Sequence, residues 1–494
     1  MAKAFTFIDL FAGIGGFHKA LINSGGICKG YSEINKDAIE AYCENYNEKP
    51  ENNLRDITKI KALPSHDILT AGVPCQSWSI AGKNLGFDDD RGQLWNDTIY
   101  LLKESQPKAF IFENVKGLTD PRNQEALEYI MDRIQQAGYY ANFYIINSYD
   151  YGVAQNRVRV YIIGFKEKRY FDAFVLPKPL EQKIKLADVL GLKSEKNIIA
   201  SNALDLFGNE IKPKNMSLSS TNGYNDYFLF NDLRNGDTTI HSWDILDTTP
   251  RQKEICLLLL KNRRKSAYGR LDGNPLSLEH FKSLDSSIEL DEIEALIELD
   301  IFKKIEYIFI IKDKGNSNIT IQEHEVLKNE ESGSISMDIL KSNRSLKLQK
   351  IDISKALLSL KEKNIIELDE YRYDFKNSKI STGLFGINRV FLPSSDIFPT
   401  LVASDTNDYI ALKSIPHSKH YKEEFLNEIY YKENYRKITK EEACLIQGFP
   451  KEFKLPSSRS RWMRLIGNSV SVPVIEILIQ SILDTGVISS NQVD

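Results

Sequence analysis

Between Phe5 and Phe165, short apolar runs alternate with amphipathic segments, and this alternation points the chain towards a parallel-sheet α/β layout. The first run, Phe5 to Leu10, leads into Phe11-Ala12-Gly13-Ile14-Gly15-Gly16 and then an amphipathic segment to Ile22. Strand, glycine turn and helix in this order let a backbone approach a nucleotide-like ligand. A second run, Gly30 to Ile34, carries Glu33 about 20 positions past the first glycine, a spacing that suits a ribose diol. The pairing favours a nucleotide-type cofactor over glycines that merely close helix–strand contacts. A dinucleotide is less supported, because the third glycine of that fingerprint is absent from its usual place.

The next run, Asp67 to Ala71, ends in Gly72-Val73-Pro74-Cys75-Gln76. A cysteine behind a rigid proline at a strand end sits where open α/β sheets place their chemistry. Cys75 is therefore read as a nucleophile, against the alternative of a small buried thiol. Lys108 to Glu113 forms another expected strand, Asn123 to Ala137 a helix, Tyr139 to Ile146 a strand and Gln155 to Phe165 the last strand. Alternation along that last strand puts Arg157 and Arg159 on one face. A buried arginine needs partners; for Arg157, support of a reacting cluster and a salt bridge to a sheet-edge carboxylate are weighed equally.

From 166 to about 395 the sequence is more polar and less regular. Two helix-then-strand segments recur there, 61 residues apart when Ala295 is set on Ala356, and tandem winged-helix-like units compete with coincidence. Seven basic residues and one acidic residue lie between Arg251 and Arg270, with Arg263, Arg264 and Lys265 consecutive. The cluster suits phosphate contacts or a solvated helix face. Near the end, Gly467-Asn468-Ser469-Val470-Ser471-Val472-Pro473 is expected to open an apolar helix.

The 494 residues allow two or three domains. Five cysteines without ligand spacing argue against a disulfide framework or a metal site. A net charge of -4 means that any face for nucleic acid must be local. Without a secretory signal or an apolar run of about 20 residues, a cytoplasmic, nucleoid-associated protein with no membrane partner is expected.

Six motifs then occur in a telling order: Phe11 to Gly16, Pro74-Cys75-Gln76, Glu113-Asn114-Val115, Gln155-Asn156-Arg157-Val158-Arg159, Gln447-Gly448-Phe449-Pro450 and Gly467-Asn468-Ser469-Val470. In this order the chain resembles the DNA (cytosine-5)-methyltransferases, most of all the bacterial enzymes of restriction–modification systems. The resemblance covers roughly 4 to 165 and 396 to 483. It implies a Rossmann-like S-adenosylmethionine-dependent domain with a large inserted target-recognition domain. Residues 1–166 would be the first catalytic part, 167–395 the recognition region and 396–494 the return to the catalytic domain.

The resemblance also implies roles. Cys75 would add to C6 of a flipped-out cytosine in duplex DNA, with Glu113 on N3 and the exocyclic amine, Arg159 on O2 and Arg157 in support. Gly13, Gly15 and Gly16 would form the cofactor turn, with Asp9, Phe11, Glu33, Ile34, Asp56, Pro74, Leu94, Asn468 and Val470 around the cofactor. Gln76 and Ser79, on a loop running to Leu94, and Arg263, Arg264 and Lys265 would meet DNA. A monomer is the family expectation, with an endonuclease as a genetic rather than physical partner. An RNA cytosine-5 methyltransferase and a catalytically inactive DNA-binding homologue are the competing readings; a nicotinamide enzyme explains the glycine turn but not Pro74-Cys75-Gln76.

Overall fold

The computed structural model describes residues 4–74, 90–191, 227–231, 239–312, 318–415 and 420–488. The chain folds into two compact units, one of Met1–Tyr227 with Val390–Asp494 and one of Phe228–Arg389.

The first unit holds the expected Rossmann-like sheet. Its elements are β1 (Phe5–Leu10), α1 (Gly16–Asn23), β2 (Gly26–Ser32), α2 (Lys36–Tyr46), β3 (Ile68–Gly72), α3 (Asp90–Ser105), β4 (Ala109–Val115), α4 (Gln124–Gln136), β5 (Tyr140–Asn147), β6 (Gln155–Asn156) and β7 (Val158–Phe165). The six-stranded sheet has the order β2-β1-β3-β4-β7-β5. β1 to β4 run parallel, while β7 is antiparallel to both β4 and β5. β1, β3 and β4 are buried almost throughout, as their continuous apolar runs require of strands covered on both faces. The strand order reverses beside β1, which opens a crevice at the carboxyl ends of β1, β2 and β3.

Two short helices, α5 (Lys168–Ala173) and α6 (Leu186–Leu190), follow β7. The polar middle proves regular. After β8 (Tyr227–Leu229) it contains α7 (Ser242–Ile245), α8 (Pro250–Asn262), α9 (Leu278–Leu284), α10 (Leu290–Glu298), β9 (Phe302–Ile311), α11 (Ile321–Leu327), β10 (Ser334–Ser336), α12 (Met337–Ser342), α13 (Arg344–Leu348), α14 (Ile353–Glu362) and β11 (Ile366–Phe375). Within the second unit β9, β10 and β11 form a sheet of order β10-β9-β11, with antiparallel pairs. The two similar segments are thus α10 with β9 and α14 with β11. Their equivalence runs at 64 residues rather than 61. Asp300 and Asn364 both turn the chain with positive φ, 60° and 55°, and Ile301 and Ile365 each donate an N–H to the carbonyl five residues back, of Leu296 and Leu360.

The C-terminal part of the first unit includes helices Lys440–Gln447, Arg459–Asn468 and Val472–Asp484. Gly467 and Asn468 close the second of these instead of opening the third, which starts at Val472 with Pro473 in its first turn. The stretch Arg459–Asp484 is long and apolar enough to cross a membrane by length and composition. Here Val474, Ile475, Leu478, Ile479 and Ile482 bury its apolar face inside the protein.

Candidate active site

The glycine turn acts through close approach. Gly13 and Gly15 have positive φ, 55° and 81°, and so does the non-glycine Phe11 at 53°. A Cβ on Gly16 would lie 2.7 Å from both Ser469 Oγ and Val470 Cγ2, so any larger residue would push away the segment that follows Asn468. Beyond β2, the Glu33 carboxylate accepts backbone N–H groups from Gly13, Ile34 and Asn35, each at 2.8 Å. Asn53 clasps the Glu33 backbone, accepting its N–H at 3.1 Å and donating to its carbonyl at 2.9 Å. Asp56 accepts from the N–H and hydroxyl of Thr58, which hold its carboxyl below the ordinary range.

These groups border a cavity of about 390 Å³ at the strand ends. Phe11, Gly13, Glu33, Ile34 and Asp56 line it, together with Pro74, Leu94, Glu113, Arg157, Arg159 and Asn468. A nucleoside with an amino-acid tail fits this donor set: the Glu33 and Asp56 carboxylates suit hydroxyl and amine donors, and Ile57, Val73 and Leu94 add apolar wall. Asp9, Gly15, Gly16 and Val470 do not line it. Asp9 is fully buried in β1, where its Oδ1 accepts from Thr70 Oγ1 at 3.0 Å. Burial pushes its carboxyl up to about 8, so it is mostly protonated at neutral pH.

On the reacting side, Arg159 Nε lies 3.0 Å from Glu113 Oε1, with both side chains largely buried. The strand register explains this: Glu113 and Arg159 come from β4 and β7, which pair antiparallel with Val115 opposite Arg159. Between the two motif residues, Asn114 donates to the Val73 carbonyl at 3.2 Å and so fixes the turn into Pro74. Cys75, Gln76 and Ser79 lie outside the described residues.

Arg157 stands just ahead of β7, so the strand alternation does not run through it. It is 2% exposed, and its guanidinium donates to the carbonyls of Leu401, Gly467 and Ser469, the last at 2.6 Å. Two buried glutamines, whose role sequence reading missed, extend this network. Gln155 Nε2 donates to Gln447 Oε1 at 2.8 Å, and Gln447 Nε2 donates to the Ser469 carbonyl at 2.7 Å. Arg157 and Gln447, the latter held by Gln155, therefore hold the carbonyls on either side of Asn468, which lines the cavity. Ser32, Arg55 and Arg464 also reach the cavity without a sequence signal to mark them.

The three consecutive basic residues separate. Arg263 meets Asp374 at 3.1 Å and stacks over Phe375 at 5.4 Å. Arg264 is 78% exposed and 3.9 Å from Asp272, and Lys265 is exposed. Arg263 is thus engaged within its own unit, whereas Arg264 and Lys265 stand in water.

The family of C-5 cytosine-specific DNA methylases matches residues 5–484. Two curated relatives from Herpetosiphon aurantiacus, the Type II methyltransferases M.HgiBI and M.HgiCII, are 39% and 40% identical over 482 residues, 96% of this chain and 96% of each relative. The solved structure of the Entamoeba histolytica methyltransferase EhMeth aligns with a TM-score of 0.47 at 15% identity, over 98% of both chains.

Proposed function

Since this chain belongs to the C-5 cytosine-specific DNA methylase family, we propose that it methylates a flipped-out cytosine through a covalent bond between Cys75 and C6. The activity is that of a DNA (cytosine-5)-methyltransferase of type II restriction–modification kind, with S-adenosylmethionine as cofactor. Bound S-adenosylmethionine supplies an electrophilic sulfonium methyl group.

Cytosine C5 is a weak nucleophile. Addition of the Cys75 thiolate to C6 makes C5 enamine-like and places negative charge on N3 and O2. The Glu113 carboxyl meets N3 and the exocyclic amine, and Arg159 holds O2. After methyl transfer, loss of the C5 proton to a base or water lets the C6–sulfur bond break and frees Cys75. Glu33 and Asp56 orient the cofactor, and Arg157 keeps Asn468 in place. The pairing of Glu113 with Arg159 at 3.0 Å carries this reading, because it puts a carboxyl and a cation together at the cavity edge beside the turn that leads to Cys75. We assign recognition of the DNA site to the compact unit 228–389.

Arg159→Ala and Glu113→Gln are each expected to lower kcat by about 10²- to 10³-fold, the usual cost of losing a group that stabilises developing charge. KM for the cofactor should change little. Steady-state methylation with labelled cofactor measures both, and wild-type kcat in either variant would refute the role of the residue replaced.

A further inference from the structure

The second unit is built twice. Each half has a leading helix, a short bridging residue or strand, a second helix, a third helix and a long strand, the order of a winged-helix module. In the first half these are α8, Leu276, α9, α10 and β9; in the second, α11, β10, α12, α14 and β11. The halves exchange their short strands. Leu276 of the first half bridges Tyr373 in β11, and Ile335 of the second half pairs with Phe309 in β9. The cores follow the same exchange: Ile301 and Phe302 pack with Tyr373 and Phe375, while Ile365 and Ile366 pack with Tyr307 and Phe309.

The halves are equivalent at 59 residues where the second helix begins, with Leu276 and Ile335 ahead of the N-cap residues Ser277 and Ser336, and at 64 residues from the third helix onward. The second half therefore carries five extra residues between its second and third helices. That connection holds the five-residue helix α13.

The two connections also differ in charge. In the first half, Asp285 and Glu289 flank the turn, Asp285 takes Arg251 at 2.7 Å, and α10 has four acidic residues and no basic one. In the second half, residues 339–351 carry Lys341, Arg344, Lys347 and Lys350 and no acidic residue, and all four are exposed. Basic side chains elsewhere in this unit commonly meet carboxylates, as Arg251, Arg263, Lys361 and Lys363 do. Arg344, Lys347 and Lys350 have no carboxylate within 4.0 Å among the described residues. Leu348, between Lys347 and Lys350, is 83% exposed, a poor arrangement against water but a suitable one against sugars and thymine methyl groups.

We propose that the α13 connection, through Arg344, Lys347 and Lys350, is a phosphate-binding surface for duplex DNA, so that this connection of the second half faces the substrate and the acidic connection of the first half, Asp285 to Glu289, does not. The proposal rests on the assignment of DNA recognition to residues 228–389.

The test compares two variants of the full chain on a duplex containing the site it methylates, located by bisulfite sequencing. One combines Arg344→Gln, Lys347→Gln and Lys350→Gln; the other combines Arg264→Gln and Lys265→Gln in the first half. All five positions are exposed, so both variants should unfold at the wild-type temperature. Each lost phosphate contact lowers the slope of log K against log salt by about 0.9, so the triple variant should flatten it by up to about 2.7 and the double variant should leave it unchanged. Flattening by the double variant alone would place DNA on the first half, overturning the proposal while sparing the recognition assignment. Equal flattening by both would overturn the assignment to one half. No flattening by either would overturn both the proposal and the recognition role of this unit.

Discussion

Cys75→Ala is expected to abolish methyl transfer, lowering kcat by at least about 10⁴-fold, while DNA binding stays within a few-fold of wild type. The size follows from the chemistry. Without the sulfur at C6 there is no enamine character at C5, and the other groups in the cavity can orient reactants but cannot supply it. The thiol, with a free pKa of about 8.5, is only a few per cent ionised at pH 7, so the site must also favour the thiolate. Turnover within tenfold of wild type, measured with labelled cofactor, would show that Cys75 is not the nucleophile.

The second large effect concerns stability. Arg157 is buried and its charge is balanced by the carbonyls of Leu401, Gly467 and Ser469. Arg157→Met keeps apolar bulk but removes the guanidinium donor from all three carbonyls, while Ser469 keeps Gln447 as a side-chain partner. Each lost charged hydrogen bond is worth about 1.5–3 kcal/mol, so a loss of at least about 3 kcal/mol is expected. Cofactor affinity should fall with it, because Gly467 and Ser469 bracket Asn468 at the cavity. Arg157→Lys should restore only part of the loss, since an ammonium lacks the planar fork that spans separate carbonyls. Calorimetric unfolding together with cofactor titration checks both effects; a wild-type melting profile for Arg157→Met would contradict the positioning role.

The strand ends were legible because the buried parallel strands read as continuous apolar runs and the polar residues of the site fall just past them. Glu33 follows β2, Pro74 follows β3, and Glu113 closes the apolar part of β4. The long-range network was not legible. Arg157 and the Leu401 carbonyl are 244 positions apart, and Gln155 and Gln447 are 292 apart, so no local pattern joins them. The basic run at Arg263 misled for another reason. Consecutive residues near a helix end point about 100° apart, so Arg263 turns inward to Asp374 while Arg264 faces water. The internal duplication was visible as two helix–strand segments, but setting Ala295 on Ala356 slides α10 along α14 by three residues, nearly one helical turn, a step at which apolar spacing repeats.

The proposed covalent step is tested most directly with duplex DNA carrying 5-fluorocytosine at the methylated position, incubated with cofactor and resolved under denaturing conditions. Fluorine cannot leave C5 as a proton does, so the enzyme should stay bonded to C6 and migrate as a protein–DNA adduct, and Cys75→Ala should give none. An adduct that persists in Cys75→Ala, or its absence from an active wild-type enzyme, would contradict the mechanism.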